Sequence, residues 1–172
     1  VLADDPQLTV RDEAGQPLAR QPLRVVLDSH CRTPPTAKML REPGQTLIFT
    51  SAEASPDRME ALKAAGADVI RTSLGSNKRV DSSLALAEIG SRGIVNLLVE
   101  GGGIVLGSLF DAGLVDKVHA FIAPVIIGGA EAASPVAGHG VQQMPDAWRL
   151  QRTKLEPIGV DWLITGYPDK GN

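Results

Sequence analysis

Short apolar runs rich in Val, Ile and Leu alternate along this chain with stretches of helical period, and that alternation leaves few folds open. Residues 23–27 (LRVVL), 46–50 (TLIFT), 67–72 (ADVIRT), 95–99 (VNLLV) and 117–127 (KVHAFIAPVII) read as strands. The spacing predicts a helix over 55–65, with Ser55 as N-cap, Pro56 at the first helical position and Gly66 closing it. A second helix is predicted over about 81–91, stopping at Arg92-Gly93. A third runs from a glycine cluster to about Leu114, with Val105, Leu106, Leu109 and Phe110 on one face. Residues 1–22 carry no apolar period and read mostly as loop. After a Gly/Ala-rich stretch at 128–145, residues 148–155 and 160–165 alternate around a turn at 157–159, a terminal antiparallel hairpin. Strand–helix–strand crossovers need parallel neighbours and right-handed connections, whereas a hairpin adds antiparallel strands at one edge. The expected architecture is a three-layer α/β sandwich around a mixed sheet, with Pro124 limiting the pairing of the strand that contains it.

Composition narrows the function classes. A chain of 172 residues allows one domain, and 43% hydrophobic with 22% charged residues excludes disorder, collagen and coiled coil. Only 3% of residues are aromatic, so Val, Ile, Leu and Ala must build the core. No apolar run approaches the roughly 20 residues that span a bilayer, and no charged segment precedes a leader-like apolar stretch, so a cytoplasmic protein is expected. The lone cysteine, Cys31, excludes an internal disulfide and a multi-cysteine zinc site. His30, His119 and His139 stand without further ligands at metal-binding spacing, so no metal site is expected. A net charge of −3 argues against a general nucleic-acid or anionic-membrane binder. No G-x-S-x-G, P-loop or H-E-x-x-H motif occurs, which removes α/β-hydrolases, P-loop NTPases and zincins.

The sharpest local signal is residues 99–108, VEGGGIVLGS. A buried strand ends, three glycines follow and a helix begins. Glycines let a ligand approach the backbone, and a helix start offers free N–H groups with about half a unit of positive charge, a cradle for a diphosphate. A ligand-free strand–helix turn accounts for the same residues. The spacing Gly101, Gly103, Gly107 is not the Rossmann fingerprint and lies late in the chain. Glu100 sits at the carboxyl end of the expected strand, where open α/β sheets bind ligands, and there it either stabilises positive charge or caps the turn. Asp28-Ser29 also ends a strand, and such pairs more often support their own backbone than a ligand. Asp4, Asp5 and Arg11 read, on their own, as a solvated turn.

Taken together, VLADDPQLTVR (1–11), PLRVVLDS (22–29), VEGGG (99–103), GSLFDAGLVDKVHAFIAPVIIGG (107–129) and the closing hairpin resemble the reductase domain of bacterial bifunctional riboflavin-biosynthesis deaminase/reductases. The resemblance implies a dihydrofolate-reductase-like fold. It also implies NADPH-dependent reduction of C1′ of 5-amino-6-(5-phosphoribosylamino)uracil, a phosphorylated pyrimidine, to a ribityl chain. Carried over by position, Asp4, Ser29, Gly102, Gly103, Ile104, Val105, Leu106, Gly107 and Ser108 would contact NADPH. Leu8, Arg11 and Glu100 would contact substrate, Arg11 as a bidentate phosphate partner and Glu100 as the catalytic carboxylate facing a cationic imine or the pyrimidine. Arg32, Arg58 and Arg71 are candidates for the 2′-phosphate, none singled out. The family pattern begins with a further strand, so this single reductase domain is read as N-terminally truncated, with a zinc deaminase domain expected only on additional sequence. A homodimer is expected. The alternatives are a fold relative reducing another pterin- or folate-like substrate, and a non-catalytic dimerisation module.

Overall fold

A computed structural model describes residues 1–75, 77–129 and 131–169. The chain divides into two compact units, Val1–Val95 and the residues from Asn96 onward. No helix among the described residues is long and apolar enough to cross a membrane.

The first unit carries β1 (Arg24–Leu27), α1 (Lys38–Arg41), β2 (Thr46–Thr50), α2 (Pro56–Ala64), β3 (Asp68–Arg71) and α3 (Ser82–Ser91). The three strands are parallel in the order β1-β2-β3, with Val25 opposite Leu47 and Ile48 opposite Val69. Central β2 is buried along its whole length, as a strand covered on both faces must be. Alternate side chains leave a pleat in opposite directions, so β2 feeds two cores. Ile48 joins Val26, Met39, Met59, Leu62 and Ala67 on the α1/α2 side. Leu47 and Phe49 join Val80, Ala85 and Ile89 on the α3 side. This helix–sheet–helix stack is the three-layer arrangement expected from the crossovers.

The helix ends follow local chemistry. Pro56 occupies the first turn of α2, and Ser55 is its N-cap residue without a side-chain capping bond. Gly66, at φ +93°, lets the chain turn back so that the Gly66 and Ala67 amides reach the Lys63 and Leu62 carbonyls. Asp81 caps α3 by accepting from the Ser83 and Leu84 amides at 2.8 and 3.2 Å. Arg24 is 3% exposed. Its guanidinium donates to Thr46 Oγ1 and to the carbonyls of Glu42, Pro43 and Gly44, closing the loop into β2.

The second unit carries α4 (Gly103–Asp111), β4 (Val118–Ile122), β5 (Arg149–Ile158) and β6 (Asp161–Asp169). Its sheet is antiparallel in the order β4-β6-β5. The terminal hairpin is present, but its turn lies at Gly159, φ +61°, and Pro157 is inside β5 opposite Trp162. The strand expected over 117–127 stops at Ile122, two residues before Pro124, as the missing proline N–H requires.

Two expectations need correction. Residues 95–99 are no strand: Val95 is 90% and Leu98 74% exposed, and no described residue pairs with their backbone. A β-branched, apolar run becomes a strand only where a second backbone accepts and donates its hydrogen bonds. Second, the parallel and antiparallel strands lie in two three-stranded sheets among the described residues, where one mixed sheet was expected. Helix α1 and a 3₁₀ turn at Met144–Asp146 are too short for any periodicity to announce.

Candidate functional site

Helix α4 begins without any of the usual devices. Its N-cap is Gly102, at φ +66° and ψ 128°, with no side-chain cap and no acidic residue in the first turn. The Val105 and Leu106 amides turn back to the Gly102 carbonyl at 3.0 and 3.2 Å. The amides of Gly101, Gly102, Gly103 and Ile104 donate to no described acceptor. A Cβ built on Gly101 or Gly102 meets no atom within 4 Å, so the space before these amides is open. Unsatisfied N–H groups at the positive end of a helix form an anion cradle, able to receive a phosphate group. Glu100 immediately precedes them, is exposed, and has no hydrogen bond or ion pair among the described residues.

Farther along α4 the same glycine motif does something else. Gly107 is buried, and a Cβ there would lie 2.0 Å from the Ala137 carbonyl oxygen. At Gly103 a Cβ would lie 2.4 Å from the Ser134 carbonyl oxygen, and the Ala137 amide donates to the Gly103 carbonyl at 2.9 Å. These two glycines admit the backbone of 134–138 against the helix. Gly103 therefore offers one open amide while its α-carbon is covered. Of the remaining positions, Ile104 is exposed, Val105 and Leu106 are half-buried, and Ser108 Oγ donates to the Val105 carbonyl at 2.8 Å.

The other sequence candidates belong to the first unit. Asp4 is exposed in an N-terminal turn closed by the Asp5 amide on the Val1 carbonyl. Its neighbour Asp5 is the tied acid, accepting from the Lys38 amide at 2.9 Å. Leu8, at φ +51°, packs against the α1/α2 core. Arg11 donates to the Gly15 carbonyl at 2.7 Å, to Thr9 Oγ1 at 3.0 Å and to Gln7 Oε1, and lies 3.7 Å from Glu42. Three of the five guanidinium N–H groups are thus engaged by the N-terminal loop. Ser29 Oγ accepts from the Val80 amide at 3.0 Å, which leaves the hydroxyl proton free to donate elsewhere. The Ser29 carbonyl accepts from the Ser51 and Thr50 hydroxyls, tying the ends of β1 and β2 together. Of the three arginines considered for a 2′-phosphate, all are exposed, and Arg71 Nε approaches Met59 Sδ at 3.2 Å.

Asp28 shows why Ser29 is held. The carboxylate is buried and accepts from both the amide and the hydroxyl of Thr33 at 2.7 Å, locking the loop after β1. Burial pushes its carboxyl up, but the hydrogen bonds from Arg32, Thr33 and His30 outweigh this and hold it below the usual carboxylate range. A depressed folded pKa stabilises the fold above the ordinary carboxylate value and ceases to do so as pH falls through the lower folded value. Asp28→Asn is therefore expected to lose about 1–3 kcal/mol at pH 7 in urea unfolding. The gap between variant and wild type should narrow below about pH 4. Equal gaps at pH 7 and pH 3 would count against this lock.

Asp111 is the residue that the sequence reading missed, and the one local signal for it is a short acid just before the glycine that ends a helix. Asp5 and His139, read as a solvated turn and a loop histidine, are both hydrogen-bonded. Asp111 Oδ2 accepts from the His139 amide at 2.8 Å and stands 3.2 Å from His139 Nδ1, and Oδ1 accepts from the Gly140 amide at 3.1 Å. Those bonds, the His139 amide foremost, hold the Asp111 carboxyl below its usual range.

A family model described as RibD C-terminal domain matches residues 1–164. The 2,5-diamino-6-ribosylamino-4(3H)-pyrimidinone 5′-phosphate reductase of Methanothermobacter thermautotrophicus is 40% identical over 171 residues, 99% of this chain and 76% of that protein. The riboflavin biosynthesis protein RibD of Actinobacillus pleuropneumoniae is 37% identical over 95% of this chain and 43% of its own length. The solved structure of Acinetobacter baumannii RibD superposes on 98% of this chain and 44% of its own, with a TM-score of 0.76 at 25% identity. The chain thus spans less than half the length of these RibD proteins and about three quarters of the Methanothermobacter one.

Proposed function

Because this chain belongs to the RibD C-terminal domain family, we propose that it reduces a phosphorylated ribosylaminopyrimidine of riboflavin biosynthesis, with NADPH as reductant. The observation that carries the reading is the open start of α4, four consecutive amides without a protein acceptor in front of glycines that leave room for a ligand. Gly101 to Ile104 would hold the diphosphate, with Asp4 and Ser29 as further cofactor contacts. When bound, NADPH supplies the hydride that converts ribosyl C1′ into the end of a ribityl chain. Glu100 is the carboxylate set against positive charge on the ring-opened substrate, and Leu8 and Arg11 are the substrate contacts. Arg11 keeps two guanidinium N–H groups for a phosphate beyond those bound to its own loop.

The names of the relatives support a pyrimidine reductase over a folate-type reductase or a non-catalytic module. They also favour a second substrate. The Methanothermobacter relative, at 40% identity, is named for the 2,5-diamino pyrimidinone, which carries a 2-amino group where the uracil carries a carbonyl. Following NADPH absorbance with each compound decides between them. Turnover of 5-amino-6-(5-phosphoribosylamino)uracil at the higher kcat/KM, with NADPH preferred over NADH, is expected. Higher kcat/KM on the diamino compound selects the second reading, and no NADPH binding at all removes both.

The expected homodimer has a surface to support it. In the β4-β6-β5 register, Ile122, Trp162 and Pro157 form one cross-strand row and Ala120, Ile164 and Leu155 the next but one, so these two rows make an apolar patch on one sheet face. Ile122, Leu155 and Trp162 are about half exposed. Trp162→Glu is expected to convert a dimer into monomer in sedimentation equilibrium. A wild-type chain that sediments as monomer at micromolar concentration would end this part of the proposal.

A further inference from the structure

Helix α4 is poorly equipped to hold its own first turn. Its sequence, GIVLGSLFD, places glycine at the first and fifth positions, and the interior one, Gly107, weakens the helix by about 1 kcal/mol relative to alanine. Its N-cap glycine offers no side chain. A segment of the glycine-rich loop braces it instead. Gly103, Gly107 and Asp111 recur every four residues and share one face. The backbone of 134–140 lies along that face: Ser134 and Ala137 over Gly103, Ala137 and Gly138 over Gly107, His139 and Gly140 on Asp111. Gly107 and Gly138 are in backbone contact, and a Cβ on Gly138 would lie 3.0 Å from the Gly107 carbonyl carbon and 2.6 Å from Asp111 Oδ2. The Ala137 amide closes the contact on the Gly103 carbonyl, in the residue whose own amide belongs to the open cradle.

The anchor at the far end is Asp111. A carboxylate in the last turn of a helix faces the negative end of the helix dipole, an unfavourable place for it. It is retained there by two loop amides and the His139 ring, a charge-assisted grip on the segment. We propose that Asp111 is a positioning residue for the cofactor: by fastening residues 138–140 it seats the 134–137 backbone on Gly103 and preorganises the first-turn amides of α4 for the diphosphate. The inference rests on the diphosphate reading of that helix start. Asp111 touches neither cofactor nor substrate and acts only through the loop.

The test uses the full chain and NADPH itself. Asp111→Asn keeps the size of the side chain but presents an NH₂ group to one of the loop donors. It is expected to weaken NADPH binding about tenfold, the worth of one hydrogen bond to a charged group. The KM for NADPH rises by the same factor, while kcat at saturating NADPH stays within about twofold of wild type, because the chemistry is untouched once the cofactor is seated. Gly138→Ala attacks the same contact from the loop and is expected to do the same; it decides the matter in the same terms if Asp111→Asn fails to fold. Wild-type NADPH affinity in the folded variant, even with a lowered melting temperature, would show a merely structural role and overturn the proposal. The reading beneath it fails separately: if Gly102→Val binds NADPH as tightly as wild type, the helix start is not the diphosphate site, and the role of Asp111 falls with it.

Discussion

Glu100→Gln is expected to lower kcat by about 10²- to 10³-fold, the usual effect of removing one group aimed at charge that develops in a transition state. The side chain is exposed and has no cationic partner among the described residues, so its negative charge is not already neutralised by the protein. Glutamine keeps the shape and loses the charge, which isolates the electrostatic contribution. Affinity for NADPH should stay within about twofold, because the proposed diphosphate contacts are backbone amides that follow Glu100 and do not include its side chain. Steady-state kinetics with cofactor titration reads both quantities. A variant with wild-type kcat removes Glu100 from the chemistry, and one that loses cofactor affinity instead assigns it to cofactor binding.

The second large effect is expected at Gly102→Val, with NADPH affinity reduced about tenfold to a hundredfold. Gly102 combines φ +66° with ψ 128°, a region that only glycine occupies without strain of about 1–3 kcal/mol. At about 1.4 kcal/mol per tenfold, relieving that strain by shifting the N-cap displaces the amides by enough to produce the stated loss. The protein itself offers no clash, since a Cβ there meets nothing within 4 Å. Gly101→Ala separates the two causes. Gly101 has neither a positive φ nor a neighbour within 4 Å of its would-be Cβ, so reduced affinity there measures ligand occupying that space. Isothermal titration of NADPH into both variants is the measurement. Undiminished affinity in Gly102→Val would place the cofactor elsewhere.

Local rules carried the reading of the first unit a long way. The strand 46–50 and the helices opened by Pro56 and Asp81 stand where propensity, capping and glycine stops place them, because each of those signals is satisfied by residues a few positions away. The helix after the glycines is likewise present, with its first amides open as the motif suggests. The motif itself mixes two uses of glycine that look identical in a string of letters. Gly101 and Gly102 leave space, whereas Gly107 is filled by the Ala137 carbonyl, thirty residues on. Nothing in the letters announces that Arg11, a phosphate partner by resemblance, has three of its guanidinium N–H groups engaged by Thr9, Gly15 and Gln7.

The family, the helix–strand alternation and the anion-ready helix start are thus properties of the amino-acid order alone, since they depend on side-chain type, backbone freedom and short-range spacing. Tertiary structure decided the rest. It left residues 95–99 unpaired, although four of the five are apolar, and it divided the strands between two sheets. It also brought Asp111 to the amides of His139 and Gly140. The physical reason is common to all three: a hydrogen bond needs a partner, and for these groups the partner lies far along the chain, where no local preference reaches.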